Sequence, residues 1–370
     1  MIKKCVGILF GGCSAEHEVS LQSAKNIFDA IDRDKYKAVP IGIDKSGKWL
    51  LYDADSEIGF LRDVDNPQKI SLNPNGTTVA LMPGSGGELV HIDGSGGNTG
   101  GNTHVDVIFP VLHGPLGEDG SIQGLLKTVG VPFVGTPALG SAIGMDKDVM
   151  KRLLRDAGIP IAKFITLHST AEIPDYDTVV KTLGVPYFVK PANMGSSVGV
   201  NKVHNESEYT RFVREAFRYD TKVIIEQFIK GRELECAVLG NDEPLASLPG
   251  EIKPAHEFYS YDAKYIDKAG AELIVPAKLP GEKVKEIQDL AVKTFKTLCA
   301  EGLSRIDFFM RDDGMVIVNE INTMPGFTKI SMYPKLWEER GISYKALIDR
   351  LIELAVEHHQ KELKLKTCYL

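Results

Sequence analysis

The sequence predicts an α/β protein that turns α+β toward its C-terminus and is built in three parts. Three observations carry this expectation. The chain has 370 residues, too many for one hydrophobic core. Short apolar runs alternate with helix-period stretches over the first third, the order of a parallel sheet with helices packed on it. After about residue 140 the order changes, and antiparallel hairpin patterns take over between long amphipathic helices.

The elements follow in order. "KKCVGILFGG" (3–12) is a short buried strand ending in glycines. Ala24, Ile27, Phe28 and Ile31 then recur at helical spacing, and "AVPIGID" (38–44) returns as a strand. Between 84 and 101 lie eight glycines with few apolar residues beyond "LVHI", the pattern of a flexible insertion or a long hairpin, here taken as 84–103 and given no function. "VDVIFPVLHG" (105–114) is a buried strand, "SIQGLLKTV" (121–129) a helix and "VPFVG" (131–135) a further strand. These form a small doubly wound unit over 1–140.

"DKDVMKRLLRDAGIP" (146–160) is a helix with Met150, Leu153, Leu154 and Ala157 on one face, stopped by Gly158 and Pro160. The strand "VPYFVKP", a loop "GSSVGV" (195–200), a helix bearing Tyr209, Phe212, Val213 and Ala216, and the strand "KVIIEQFI" make a second unit, 141–229. From "ELECAVLG" onward a third unit, 230–370, carries the hairpin "RIDFFMRDDGMVIVNEIN" and two long helices, 281–301 and 343–364.

Composition narrows the function classes. Hydrophobic residues make up 43% and charged residues 25%, ordinary for a globular protein, and the net charge is −7 with no basic block. That argues against a nucleic-acid partner. No apolar run reaches the ~18 residues a membrane span needs, and the apolar stretch near the N-terminus stops too soon for a signal peptide. The five cysteines show neither CxxC nor Cys/His spacing and read as reduced thiols of a cytoplasmic protein.

The hairpin raises the chemical question. Glu320 and Asn322 share parity with Val316 and Val318, where a half-buried strand calls for apolar side chains. An even-numbered turn pairs Met310 with Met315, Asp307 with Val318 and Arg305 with Glu320. Arg305, Asp307, Glu320 and Asn322 then converge on one surface at roughly 5–8 Å spacing. Two readings stand side by side: a cross-strand ion pair contributing ~0–1 kcal/mol, or a hard-cation site of two carboxylates and an amide oxygen. An odd-numbered turn or a bulge would change this geometry.

Other segments suggest anion and ligand handling. In "YFVKPANMGSSVGV" a lysine at a strand end precedes a Gly-Ser-Ser loop, an arrangement that brings an ammonium and backbone N–H groups to an anion. A plain β-turn has the same residues. In "KVIIEQFIKGRELECAV", Glu226 and Glu233 flank Phe228 and Ile229, either a strand crossing or a pocket for a flat base and a sugar. "GGCSAEHEVS" (11–20) and "VLHGPLGEDGSIQG" (111–124) are strand-to-helix loops, where α/β sheets take ligands. They bring Glu16 and Ser20, and His113, Glu118 and Asp119. Glu18 and Asp119 fit the simpler role of carboxylates near helix N-termini, and a lone histidine is more often structural than catalytic.

The order of these motifs, with "MDKDVMK", "YDAKY", "SRIDFF" and "NEINTMPGFTKISMYP", resembles the D-alanine–D-alanine ligases of the ATP-grasp superfamily over nearly the whole chain. The resemblance implies a Rossmann-like N-terminal unit followed by a two-lobed ATP-grasp fold. It also implies an ATP-dependent carboxylate–amine ligase acting through an acyl phosphate, with D-alanine as substrate. The implied cofactors are ATP and two Mg2+ (or Mn2+), with K+ as a candidate accessory ion, and the implied assembly is a homodimer. By the same resemblance Asp307, Glu320 and Asn322 look like the metal ligands. Lys147, Lys190 and Lys264 look like phosphate contacts, with Ser197 and Asn319 among the residues that bind ATP. Glu226, Phe228, Ile229 and Glu233 look like the adenine–ribose site. Arg305 and the Gly326 N–H look like oxyanion donors, worth ~2.7–4 kcal/mol each. Glu16, with His113 beside it, looks like the holder of the first ammonium. Glu16, Ser196 and Tyr265 look like a network closing the 256–272 loop. Ser331 and Met332 fall where the second amino acid binds.

Relatives that use D-lactate or D-serine as second substrate resemble the chain too. The lactate type carries a histidine-bearing loop in place of the "YDAKY" tyrosine, and both types tend to carry arginine where this chain has Met332. Tyr265 and Met332 therefore favour D-alanine, within the ~10²-fold that an apolar pocket gives against an added hydroxyl. The chain departs from the common pattern at Cys13, at Asn193-Met194 and at "TKIS".

Overall fold

The computed structural model describes residues 3–54, 59–92, 98–254 and 271–366. The first sheet has seven strands. They are β1 (Lys4–Gly11), β2 (Tyr36–Ile43), β3 (Trp49–Leu51), β6 (Thr77–Leu81), β7 (Glu88–Ile92), β8 (Asn98–His104) and β9 (Val107–Val111), in the order β8-β7-β6-β3-β2-β1-β9, with the small pair β4 (Leu61–Arg62) and β5 (Ser71–Leu72) beside it. Only β2-β1-β9 is parallel. From β3 outward the pairing is antiparallel, so the expected parallel sheet is a parallel centre with an antiparallel extension. The glycine-rich 84–103 stretch supplies β7 and β8 of that extension as a hairpin. "VPFVG" forms no strand; Phe133 makes a single bridge to Ile108.

The parallel centre is buried on both faces, as its continuous Val/Ile/Phe runs dictate. Helix α1 (His17–Ala30) lies on the face of Val6, Ile8, Phe10, Phe109 and Val111. Helix α2 (Ser121–Val129) covers Leu9, Ile41, Ile43 and Ile108 with Ile122, Leu126 and Val129. Helix α3 (Ala138–Met145) leads into α4 (Lys147–Asp156), which starts at a built N-cap: the Asp146 carboxylate accepts from the N–H groups of Asp148 and Val149, both at 3.1 Å.

A second, four-stranded sheet runs β10 (Phe164–Leu167), β13 (Val223–Gln227), β11 (Tyr187–Pro191), β12 (Asn201–Val203), packed by α5 (Tyr176–Leu183) and α6 (Glu206–Ala216). The third sheet has β17 (Ala271–Ile274), β16 (Gly250–Pro254), β14 (Arg232–Gly240), β18 (Gly302–Met310) and β19 (Val316–Asn322) in that order, with β15 (Leu245–Ala246) against β14. One of its faces packs on α7 (Gly281–Thr297) through Ile287, Ala291 and Phe295. The other meets α8 (Met332–Glu339) and α9 (Tyr344–Leu363) at one end, where Trp337, Tyr333 and Leu351 join the core of the first sheet. The remainder of that face, left open, is where the polar residues gather. Among the described residues no helix is long and apolar enough to cross a membrane.

Candidate active site

The β18–β19 hairpin corrects the expected register. Met310 pairs with Val316, so five residues make the turn instead of four. The ladder then slips at Asp307/Phe308: Val318 faces Phe308, Glu320 faces Asp307, and Asn319 stands between them as a β-bulge. Arg305 therefore faces Asn322, and Asp307 faces Glu320, where the even turn had put Glu320 opposite Arg305 and Val318 opposite Asp307. The extra residue reverses the parity of everything after it. Val316, Val318 and Ile321 enter the core with Phe308 and Ile306. Ile317, Glu320 and Asn322 lie on the opposite face with Phe309, Asp307 and Arg305. The carboxylate that looked misplaced among valines was never on their face.

That open face has a layout along its strands. At the Phe309 end, Glu233 of β14 pairs with Phe309, and Ile317, Ile229 and Ala162 form an apolar wall with it. In the middle, Glu235 and Glu320 flank Asp307 on neighbouring strands. Past it comes Arg305, whose Nε and Nη2 grip the two Asp307 carboxylate oxygens at 2.7 Å each, with Nε also 3.1 Å from Glu235 Oε2. Burial works against the Arg305 charge, but Asp307 and Glu235 outweigh it and hold the guanidinium protonated. Asn322 Nδ2 donates to Asp307 Oδ2 at 3.0 Å.

Lysines face this strip from the second sheet and α4. Lys147 Nζ donates to the Met194 carbonyl at 2.7 Å and lies 3.6 Å from Glu320 Oε2. Glu226, buried on β13, holds two ammonium groups at once, Lys151 on Oε1 and Lys190 on Oε2. Burial alone would raise its pKa; the two lysines bring it below the ordinary carboxylate range. Phe228 meets Phe188 at a tilt, ring centroids 6.0 Å apart, and Lys202 Nζ sits 4.1 Å over the Phe228 ring. Ser196 and Ser197 both hold positive φ, 49° and 60°, in the tight loop after β11.

The third group closes on Glu16. Ser196 Oγ donates to Glu16 Oε1. The backbone at Gly114 and at Gly195 passes so near that a Cβ there would come within 2.8 Å and 3.1 Å of Glu16 Oε2. Beside it, His113 Nδ1 meets the Met324 carbonyl at 3.0 Å. A carbonyl only accepts, so Nδ1 carries the proton; burial lowers the ring pKa, which leaves Nε2 a bare acceptor without a partner among the described residues. Glu118 accepts from Gly114 N at 2.8 Å and Met324 N at 3.2 Å, and burial together with the Glu16 charge pushes its carboxyl up to about 8.

Gly326 lies under Ser331, whose Oγ would be 2.8 Å from a Cβ there; that Oγ accepts from Thr328 N at 3.0 Å. Met332 is 4% exposed and packs against Gly250 in the core. Lys264 and Tyr265 lie outside the described residues, as does most of the 256–272 loop. A separate cavity of about 230 Å3 opens beside Gly12–Ser14, walled by Trp49, Leu112, Ile122 and Leu125; it touches His113 but none of the carboxylates of the hairpin.

The sequence reading passed over Glu235, a buried neighbour of Arg305, and Lys151, which is fully buried. A signal for the latter existed: Lys151 is four residues after Lys147 and so shares its helix face.

Two family models cover the chain, the "D-ala D-ala ligase N-terminus" at residues 5–136 and the "D-ala D-ala ligase C-terminus" at residues 153–353. The chain belongs to the D-alanine–D-alanine ligase family. A D-alanine–D-alanine ligase of Shouchella clausii is 55% identical over 99% of this chain and 98% of its own length. The solved D-alanine–D-alanine ligase of Coxiella burnetii superposes with a TM-score of 0.86 at 39% identity, covering 99% of this chain and 98% of that one. The D-Ala:D-Ser ligase of Enterococcus faecalis gives 0.82 at 36% identity, over 96% and 100%. Membership in the ligase family accounts for the mixed sheets and makes the chain an ATP-dependent ligase.

The donor set on the hairpin suits a hard cation. Among the described residues no three His, Cys, Asp or Glu side chains stand together as a complete metal cage. Asp307 and Glu320 nevertheless face each other directly with Asn322 adjoining; each carries a side-chain oxygen, although Arg305 holds those of Asp307 and Asn322 turns its Nδ2 toward them. Mg2+ takes one or two carboxylates and leaves its other positions to phosphates and water, which fits this face.

Proposed function

We propose that this chain condenses two D-alanines to D-alanyl-D-alanine with the conversion of ATP to ADP and phosphate, supplying the dipeptide for peptidoglycan. The observation that carries the reading is the strip Glu233, Asp307–Glu320, Arg305–Asn322, faced by Lys147 and Lys190 and ending beside the Glu16–Ser196 contact. Its order, from apolar wall to carboxylates and lysines, suits a nucleotide laid from base to terminal phosphate, with the amino acids beyond.

In this reading the adenine sits between Ile229, Phe228 and the Phe309–Ile317 wall, near Glu226, with its ribose on Glu233. Lys147, Lys190, Lys264 and the Ser196–Ser197 loop take the phosphates, and Asn319 adjoins them. Asp307, Glu320 and Asn322 would hold two Mg2+ (or Mn2+), which when bound neutralise phosphate charge. Glu16 and the bare His113 Nε2 accept from the ammonium of the first D-alanine. Its carboxylate oxygen attacks the γ-phosphorus and ADP leaves. The amine of the second D-alanine then attacks the acyl carbon, a proton is lost from nitrogen, and phosphate departs. Arg305 and the Gly326 N–H stabilise the oxyanion of that tetrahedral intermediate. Arg305 is held by Asp307 and Glu235 before substrate arrives, so little reorganisation is needed during reaction. Tyr265 joins Glu16 and Ser196 to draw the 256–272 loop over the site. Ser331, at the start of α8, meets the second carboxylate, and Met332 shapes the wall behind it.

The three parts 1–140, 141–229 and 230–370 divide this work into first-amino-acid binding, nucleotide clamping and catalysis. The chain acts in the cytoplasm as a homodimer, without nucleic-acid or membrane partners, and K+ is its candidate accessory ion. The deciding experiment offers D-alanine, D-serine and D-lactate together with ATP and Mg2+, with and without K+, and identifies the products. D-Ala-D-Ala should predominate at neutral pH. Predominance of D-Ala-D-Ser would assign the chain to the class of its Enterococcus faecalis neighbour, and phosphate release indifferent to D-alanine would sink the ligase reading.

A further inference from the structure

Lys151 is 0% exposed, on α4 one turn after Lys147. Its Nζ pairs with Glu226 Oε1 on β13 and donates to the Asn319 carbonyl on β19 at 3.2 Å. One ammonium thus reaches a site-bearing strand in each of the two sheets that face each other across the nucleotide strip.

A buried ammonium is costly to keep, and a buried ion pair is often no better for stability than apolar side chains of similar volume. Lys151 lies on a buried helix face between Met150 and Leu154, where an apolar residue would pack without that cost. The groups it holds supply the reason for a charge there. Glu226 carries two ammonium partners, and Lys190 is the more exposed of the two. Lys190 can leave its oxygen when a phosphate arrives, while Lys151 stays and keeps the carboxylate ionised and fixed. The Asn319 carbonyl belongs to the bulge that turns Glu320 onto the open face. A bulge leaves a ladder group unpaired, and here the lysine satisfies the carbonyl.

We propose that Lys151 is a positioning residue of the nucleotide site, fixing Glu226 at the base end and, through the Asn319 bulge, Glu320 at the metal end. This rests on the ATP-ligase reading. It predicts that the two ends respond together to one substitution that touches neither ligand.

The test uses the full-length chain with Lys151→Met, Lys151→Arg and Lys151→Gln. Read-outs are the Kd for ATP with Mg2+ by calorimetry without D-alanine, the half-saturating Mg2+ concentration for ADP release, the KM for D-alanine, and Tm. Loss of such an outer-shell partner typically costs 10–100-fold in metal affinity or activity. For K151M the Kd for ATP should weaken by at least about tenfold and half-saturating Mg2+ should rise, while the KM for D-alanine stays within about twofold. K151R, which keeps the charge, should recover part of both. If K151M does not fold, K151Q, which keeps an N–H donor, is read in its place. A lower Tm with ATP and Mg2+ constants unchanged would overturn the proposal, as would a D-alanine KM that shifts as far as the ATP Kd. A wild-type chain that binds ATP but forms no dipeptide would refute the ligase reading alone, since Lys151 is still judged by the calorimetric Kd.

Discussion

Glu320 shows what a single carboxylate does when its neighbours are fixed. It faces Asp307 across the ladder and Lys147 at 3.6 Å, half in reach of solvent. Glu320→Gln keeps the volume and removes the charge, so the fold should survive with Tm changed little while turnover falls by at least about 100-fold, the scale of losing one preorganised electrostatic partner. Near-normal turnover at limiting Mg2+ would refute the metal assignment. Glu118 makes a different prediction. Its carboxyl is raised from an ordinary 4.5 to about 8 by burial and by Glu16, against the pull of two N–H donors. The folded chain therefore binds this proton more tightly than the unfolded chain does. The stabilisation is complete below about pH 4.5 and is lost as pH climbs toward 8. In Glu118→Gln there is no proton to lose, so its denaturation midpoints at pH 5.5, 7 and 8.5 should fall less steeply than those of the wild type. Parallel pH dependences would show that Glu118 does not titrate in this window.

Elements were legible to different depths. Helices and strands with strong apolar periods could be read: α1, α2 and β1 stand where Ala24–Ile31, "SIQGLLKTV" and "KKCVGILFGG" put them, whereas the short "VPFVG" reads as a strand but forms a single bridge. The bulge at Asn319 was not legible, since no local propensity distinguishes it from the regular strand around it. It depends on the partner strand, and the longer turn and the bulge, one residue of slip each, together exchanged Arg305 for Asp307 as the neighbour of Glu320. Lys151 was hidden for a similar reason: its partners, Glu226 and Asn319, are distant in sequence. The start of α4 offers a test at this scale. Asp146 caps two N–H groups and pairs with Lys222 at 2.6 Å. Asp146→Ala should lower stability by ~1–2 kcal/mol, measured by urea midpoint. Because Lys147 is the first residue of the helix, the KM for ATP should rise as well; an unchanged KM would mean that Lys147 is placed by its Met194 contact alone.

At the scale of the molecule, ligand and fold are linked. A ligand present at 100 times its Kd stabilises the folded chain by ~2.7 kcal/mol. ATP with Mg2+ should raise the wild-type Tm, and Mg2+ should add nothing to the ATP effect in Glu320→Gln; an equal Mg2+ increment in both would separate Glu320 from the cation. The loop around Gly326 belongs to the third unit in sequence but is tied mostly from the first. Met324 is held at both its N–H and its carbonyl by Glu118 and His113, while Phe327 N–H donates to Ser23 Oγ at 3.1 Å and its carbonyl accepts from Asn26 and Tyr344. A segment fastened by so many short bonds is a poor hinge. Any opening of the cleft would then fall to the four-stranded sheet and its Ser196 loop, moving against the first and third sheets, which share one core. Crosslinking the first sheet to the third should leave turnover intact, whereas pinning the four-stranded sheet to either should trap whatever nucleotide is inside.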